Sequence, residues 1–245
     1  MKRTSDGFLS ALSYFTILPL GPLARNVAPG PMAVAFLPFV GALIGAASGG
    51  VAVLIASHER IWVPIVAWIL SIALTGAIHV DGFLDCCDGL LASATPQRRL
   101  EILHDPRHGT FAVTGMAMLT VCWIAAIAAI AFSKLIIVLA FTGTLARIAA
   151  IANTLVFPYA RPGAVTPAFA ERPNLLVLLA GLVLALVLGW FISLIALALV
   201  PCAIAASLLL GWWASRRLGG GLTGDVFGGV IVTVEVLTLI ALTAI

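Results

Sequence analysis

Charge is what this chain has least of. Asp, Glu, Lys and Arg make up 9% of its 245 residues, against about 25% in a soluble globular domain. With 62% hydrophobic residues and a mean hydropathy of +1.18, the composition excludes a soluble fold and predicts an all-α, polytopic membrane helix bundle. The formal net charge of +3 is spread along the chain and gives no nucleic-acid signal. The four cysteines, Cys86, Cys87, Cys122 and Cys202, include no C-x-x-C pair, which argues against a zinc site and a disulfide framework. No internal repeat or low-complexity linker interrupts the run, and we expect residues 1–245 to form a single membrane-embedded domain. No Ser-His-Asp or Cys-His arrangement can be argued.

Against that background the acidic residues stand out. Of only ten, Asp81, Asp85 and Asp88 fall within His79-Val80-Asp81-Gly82-Phe83-Leu84-Asp85-Cys86-Cys87-Asp88-Gly89. Their i, i+4, i+7 spacing places them on one face of a helix. Three adjacent carboxylates at a membrane boundary repel one another and are costly to desolvate. A divalent cation cancels that repulsion, and Mg²⁺ favours carboxylate oxygens shared with waters and substrate phosphates. The plain alternative is a solvated acidic helix end.

Hydropathy lays out the spans. Phe8 to Leu20 is 13 residues long, short of the roughly 20 needed to cross, and reads as an interfacial or re-entrant segment. Its basic start, Met1-Lys2-Arg3, looks like that of a signal peptide. Pro19, Pro22 and the lack of a small-residue cleavage site predict that it stays in the mature chain. Ala33–Ser57 spans, with Gly41-x-x-x-Gly45-x-x-x-Gly49 as a close-packing seam. Ile61–Val80 is expected to cross back and deliver the acidic motif. Thr95 is expected to cap a short helix that has Pro96 at its first position. Thr110–Phe132 and Leu135–Phe157 follow, then two crossings within Asn174–Arg216 with Pro201 near the break, and Val226–Ile245 last. That makes about seven spans.

Cations orient the layout. Of 13 Lys and Arg, ten fall on the side of the acidic motif, Arg60 and Lys134 on the other, and Arg147 inside a span. The positive-inside rule therefore puts the motif in the cytoplasm. The same topology gathers the polar loops 81–109, 158–173 and 216–225 on one face.

Further candidates lie in those loops. Asp105 and Arg107 supply an acid and a phosphate-matching guanidinium. His79 and His104 can ligate or shuttle protons, or simply be hydrogen-bonded. Gly219-Gly220-Gly221-Leu222-Thr223-Gly224-Asp225 offers backbone amides at a helix start, where anions bind. It is no Walker loop, since no Gly-Lys-Ser/Thr follows, and the plain alternative is a flexible connector. Asp225 caps the helix or adds a metal ligand. Arg147 and Glu235 are charges inside spans, expected to face a partner or a polar cavity. From the residues alone, the reading is Mg²⁺-dependent transfer on a phosphate-bearing substrate at the cytoplasmic face. An ion or solute transporter is the rival, but it would favour midplane charges in repeated halves.

The motifs also carry a resemblance. The segment His79–Leu90 is similar to the H-x-D-G-x-x-D-x-x-D-G-L signature of the cobalamin synthase (adenosylcobinamide-GDP ribazoletransferase) family. Arg99–Phe111 resembles its R-L-E-I-M-x-D-S-x-x-G-T-F stretch, and Gly220–Gly228 its G-G-x-T-G-D-V-L-G loop. Phe15-Thr16-Ile17-Leu18-Pro19 resembles the family's opening F-x-T-x-L-P. Cys86-Cys87, Pro106, Ala112 and Ile231-Val232 depart from the usual pattern.

The resemblance implies transfer from adenosylcobinamide-GDP to α-ribazole or its 5′-phosphate, with release of GMP, in the bacterial cytoplasmic (inner) membrane. It implies Mg²⁺ on Asp81, Asp85 and Asp88, catalytic roles for Asp105, Arg107 and Asp225, and substrate contacts from His79, Arg99, His104, Arg161, Thr223 and Gly224. Arg147 and Glu235 join the substrate set if they line its chamber. The expected partners are these small molecules and the lipid bilayer, with a homo-oligomer left open. The spaced aspartates also resemble CDP-alcohol phosphotransferases, whose motif continues Ala-Arg with wider acid spacing that this chain lacks.

Overall fold

The computed structural model describes residues 2–20, 30–55, 59–160, 169 and 172–245. These fold as helices: α1 (Lys2–Phe15), α2 (Pro31–Ala35), α3 (Leu37–Ile55), α4 (Trp62–Leu74), α5 (Ile78–Leu91) and α6 (Pro96–Ile102) come first. Then follow α7 (Thr110–Ala129), α8 (Leu135–Val156), α9 (Leu175–Ile192), α10 (Leu199–Leu218) and α11 (Gly224–Leu242). Helices satisfy their own backbone groups, as a hydrocarbon solvent demands. Among the described residues six helices are long and apolar enough to cross a membrane, and α4 with α5 makes a seventh if counted as one span.

The core is built around α8, whose residues from Val138 to Ile151 are all buried. At its crossing with α3, a Cβ on Gly41 would collide with the Gly143 carbonyl, and one on Gly45 with that of Leu139. The glycine seam therefore lets two backbones touch, which is how membrane helices gain dispersion energy without a hydrophobic driving force. Asn153 on α8 adds a polar pin, donating to Ser207 Oγ on α10 at 2.6 Å. At the periphery, Leu176, Val183, Trp190 and Phe191 of α9 are exposed, the apolar surface expected toward lipid.

Several boundaries differ from the hydropathy reading. Ile61–Val80 is not one straight helix: α4 and α5 meet at 91° across residues 75–77. Gly76 (φ 59°) and Ala77 (φ 62°) both take the left-handed conformation that makes the bend. For Ala77 this costs about 1–2 kcal/mol. The freed carbonyl of Leu74 accepts from Ile17 N at 2.9 Å, so the segment after α1 braces the turn. The acidic motif is therefore a helix of its own rather than the far end of a span. Two other breaks also move: the first span starts at Leu37 after a separate short helix, with Ser57 outside the described residues. The α9–α10 break falls at Ser193, extended at φ −171°, and Pro201 sits in the first turn of α10, where its missing N–H is harmless. As expected, Thr95 Oγ1 caps α6 by accepting from Arg98 N.

Candidate active site

Helix α5 lies across the N-termini of α7 and α11, and that crossing assembles the site. Gly82 permits it: a Cβ there would lie 2.7 Å from Asp225 O and 3.0 Å from Asp225 Cα. Gly228 does the same on the other partner, 3.3 Å from the His79 backbone. Asp225, in the first turn of α11, thereby joins the aspartates of α5. Asp85 is largely buried and feels the charges of Asp81, Asp225 and Asp88.

The three aspartates of α5 have different surroundings. Asp81 is the open one, its side chain 66% exposed against 14% for Asp85. Between them stands His108, with Nε2 3.9 Å from Asp81 Oδ1 and Nδ1 3.9 Å from Asp85 Oδ1. Asp88 instead caps another helix: its carboxylate accepts from Gly109 N at 2.5 Å and Ala112 N at 3.0 Å, at the start of α7. A carboxylate beside helix N-terminal amides is favourable in charge as well as in hydrogen bonding.

Beside these acids opens a cavity of about 270 Å³. Asp81, Asp225, Thr223, Gly224, His79 and His104 line it, with Tyr14, Phe15, Tyr159 and Phe169 as an aromatic wall. Tyr14 and Tyr159 are the only two tyrosines in the chain. Thr223 is the N-cap of α11 and its hydroxyl donates to Asp225 Oδ2 at 3.2 Å, and with Thr223, Gly224 and Asp225 in the lining the positive end of the α11 dipole borders this space.

Other candidates lie elsewhere. Arg99 is buried and spends its guanidinium on the carbonyls of Ala94 (3.0 Å), Gly89 (3.2 Å) and Leu90 (2.6 Å). Arg217 Nη1 joins it on Leu90 O at 2.7 Å, so both close the C-terminus of α5. Asp105 and Arg107 pair with each other, Nη2 to Oδ2 at 2.7 Å and Nε to Oδ1 at 2.8 Å. The Arg107 hydrogen bonds hold the Asp105 carboxyl down at about 2, a weak base at neutral pH. Neither lines the cavity. Arg147 and Glu235 form an ion pair between α8 and α11 and line a separate, deeper cavity with His79. Arg161 lies outside the described residues. The sequence reading missed His108, Tyr14 and Tyr159. The scarcity of tyrosine was the one signal available for the last two.

The fit to a divalent cation can be judged from the donors. Among the described residues no three His, Cys, Asp or Glu side chains already sit at metal-holding distances. The donors are nevertheless the hard carboxylate oxygens that Mg²⁺ prefers, and it commonly takes only one or two of them, with waters and substrate phosphates completing the shell. Among the described residues no Lys or Arg lies within ion-pair distance of Asp81 or Asp85, and the His108 ring stands between them. That uncompensated negative charge suits a cation.

Fold and site together define an α-helical, multi-span membrane protein with an acid-lined cavity. The chain belongs to the cobalamin-5-phosphate synthase family, whose profile matches residues 7–243. It is similar to the adenosylcobinamide-GDP ribazoletransferase of Deinococcus radiodurans, 34% identical over 94% of this chain and 82% of that protein. Proteins of the same name from Thermosynechococcus vestitus (30% identical; 99% and 98% covered) and Roseiflexus sp. (34%; 95% and 87%) also match. No solved structure matches the chain significantly.

Proposed function

We propose that this protein is an adenosylcobinamide-GDP ribazoletransferase, joining adenosylcobinamide-GDP to α-ribazole or its 5′-phosphate in the last assembly step of cobalamin synthesis. The ribazole hydroxyl attacks the phosphate bonded to the cobinamide arm, a new P–O bond forms, the diphosphate P–O bond breaks, and GMP leaves. One observation carries the reading: Asp81, Asp225, Thr223, Gly224 and His104 meet in a single cavity beside Asp85, where a diphosphate can be held and its charge managed.

Each residue has work that its place suits. Thr223 and Gly224, at the start of α11, offer amides to phosphate oxygens. Asp81 and Asp85 would hold Mg²⁺, and Asp88 keeps a second lone pair on each oxygen for it. When bound, Mg²⁺ neutralises charge on the diphosphate and its leaving group. Asp225 is better placed than Asp105 to take the hydroxyl proton, since it lines the cavity and Asp105 is held ionised by Arg107. The aromatic wall excludes water and suits flat bases. The basic ends of α6 and α10 meet at Leu90 beside the site, which supports a cytoplasmic site in the bacterial inner membrane by the positive-inside rule.

The test is product identity. Purified protein in detergent, given adenosylcobinamide-GDP and Mg²⁺, should release GMP only when α-ribazole or its 5′-phosphate is added. Release of CMP from a CDP-alcohol, with no GMP from the cobinamide donor, would replace this reading with the lipid transferase.

A further inference from the structure

Deep to the catalytic cavity lies a smaller one, of about 20 Å³, between α3, α4, α5, α8 and α11. Space of that size holds one water molecule when polar groups face it. The polar lining is Ser71, Thr75, His79, Arg147 and Glu235. Two of these bring a buried nitrogen that no protein group satisfies, His79 Nε2 and Arg147 Nε. The residues are 6% and 2% exposed. Their neighbours are engaged: Arg147 Nη1 donates to Gly143 O at 3.0 Å and to Glu235, and Thr75 Oγ1 donates to the Ser71 and Ile72 carbonyls.

We propose that one water molecule in this cavity accepts a hydrogen bond from Arg147 Nε–H and donates one to His79 Nε2, so that the Arg147–Glu235 pair fixes the imidazole that walls the catalytic cavity. The direction follows from chemistry. A guanidinium N–H only donates, so the water must accept from it. A lone pair aimed toward that cation is favoured over an N–H dipole aimed at the same charge. The water therefore turns a proton to Nε2, and the ring carries its own proton on Nδ1. Since His79 also lines the catalytic cavity beside Asp81, its orientation there is set from inside the membrane. Arg147 and Glu235 are then positioning residues, and the water site gives a reason for an ion pair that is expensive to bury.

Nitrogen NMR on ¹⁵N-histidine protein reads this directly, because the chain has only four histidines and His79→Gln identifies one signal. The double variant Arg147→Met/Glu235→Gln removes the ion pair without stranding a charge. Wild type should show His79 with its proton on Nδ1. The double variant should revert to the Nε2–H form that free imidazole prefers, with kcat for GMP release falling about tenfold at unchanged KM. A wild-type proton on Nε2, or the same tautomer in both proteins, overturns the water bridge. A changed tautomer with unchanged kcat overturns the positioning role. Should the double variant not fold, the wild-type spectrum alone decides the bridge. The kinetic arm rests on the proposed activity and the spectrum does not. The predicted tautomer without any GMP release would therefore leave the water site standing and remove the transferase reading.

Discussion

Where α3 crosses α8, Gly41 and Gly45 face the carbonyls of Gly143 and Leu139; where α5 crosses α11, Gly82 faces the backbone of Asp225 and Gly228 that of His79. Both crossings use the missing Cβ to bring backbones together. The first lies in the most buried helix of the bundle and supplies packing. The second lies where α5 meets the first turn of α11, so the same close approach brings four carboxylates into one neighbourhood. Glycine sets the distance in each case, and the flanking side chains decide whether that distance is structural or chemical.

Breaking the second crossing should cost activity, and breaking the first should cost stability. The largest effect is expected from Asp81→Asn with Asp225→Asn, which removes both carboxylates lining the cavity. GMP release should fall by about 10²–10³-fold with helix content by circular dichroism unchanged. Gly82→Ala comes next, because its Cβ would push α5 from Asp225. Even a shift of about 1 Å in a reacting group can cost about 10²-fold, and kcat should fall by more than the loss of folded protein explains. Gly45→Ala should do the reverse. Overpacking at the α3–α8 seam costs about 1–3 kcal/mol, seen as a lower thermal midpoint in detergent, while the folded fraction keeps its kcat. Asp88→Ala removes the acceptor for two α7 amides and should cost about 1–2 kcal/mol. If Asp88 also binds metal, its activity will fall well beyond that stability loss.

The same contrast marks what could be read from the chain. The apolar runs are legible because a membrane imposes length and hydropathy on every span, and Thr95-Pro96 announces its helix by capping chemistry. The bend at Gly76-Ala77 was hidden because hydropathy reports composition and not direction, and Ala77 takes a backbone conformation that its type rarely adopts. The spacing of Asp81, Asp85 and Asp88 correctly put them on one helix, yet gave no sign that Asp88 would be shared with the amides of Gly109 and Ala112. That duty is set by where α7 starts, a tertiary fact. Likewise Asp105 and Arg107 read as two open site groups, and the loop lets them satisfy each other. His108 reaches Asp81 and Asp85 across a long sequence separation, and a single histidine in a loop carries no periodic signal.

In the proposed mechanism the α5 aspartates form the metal-assisted transfer site. GMP release should therefore be compared between wild-type protein and Asp85→Asn, each with adenosylcobinamide-GDP and α-ribazole, with and without Mg²⁺. We predict Mg²⁺-dependent release by wild type and a loss of about 10²-fold or more in the variant. Full activity in Asp85→Asn, or release that ignores Mg²⁺, would contradict the account.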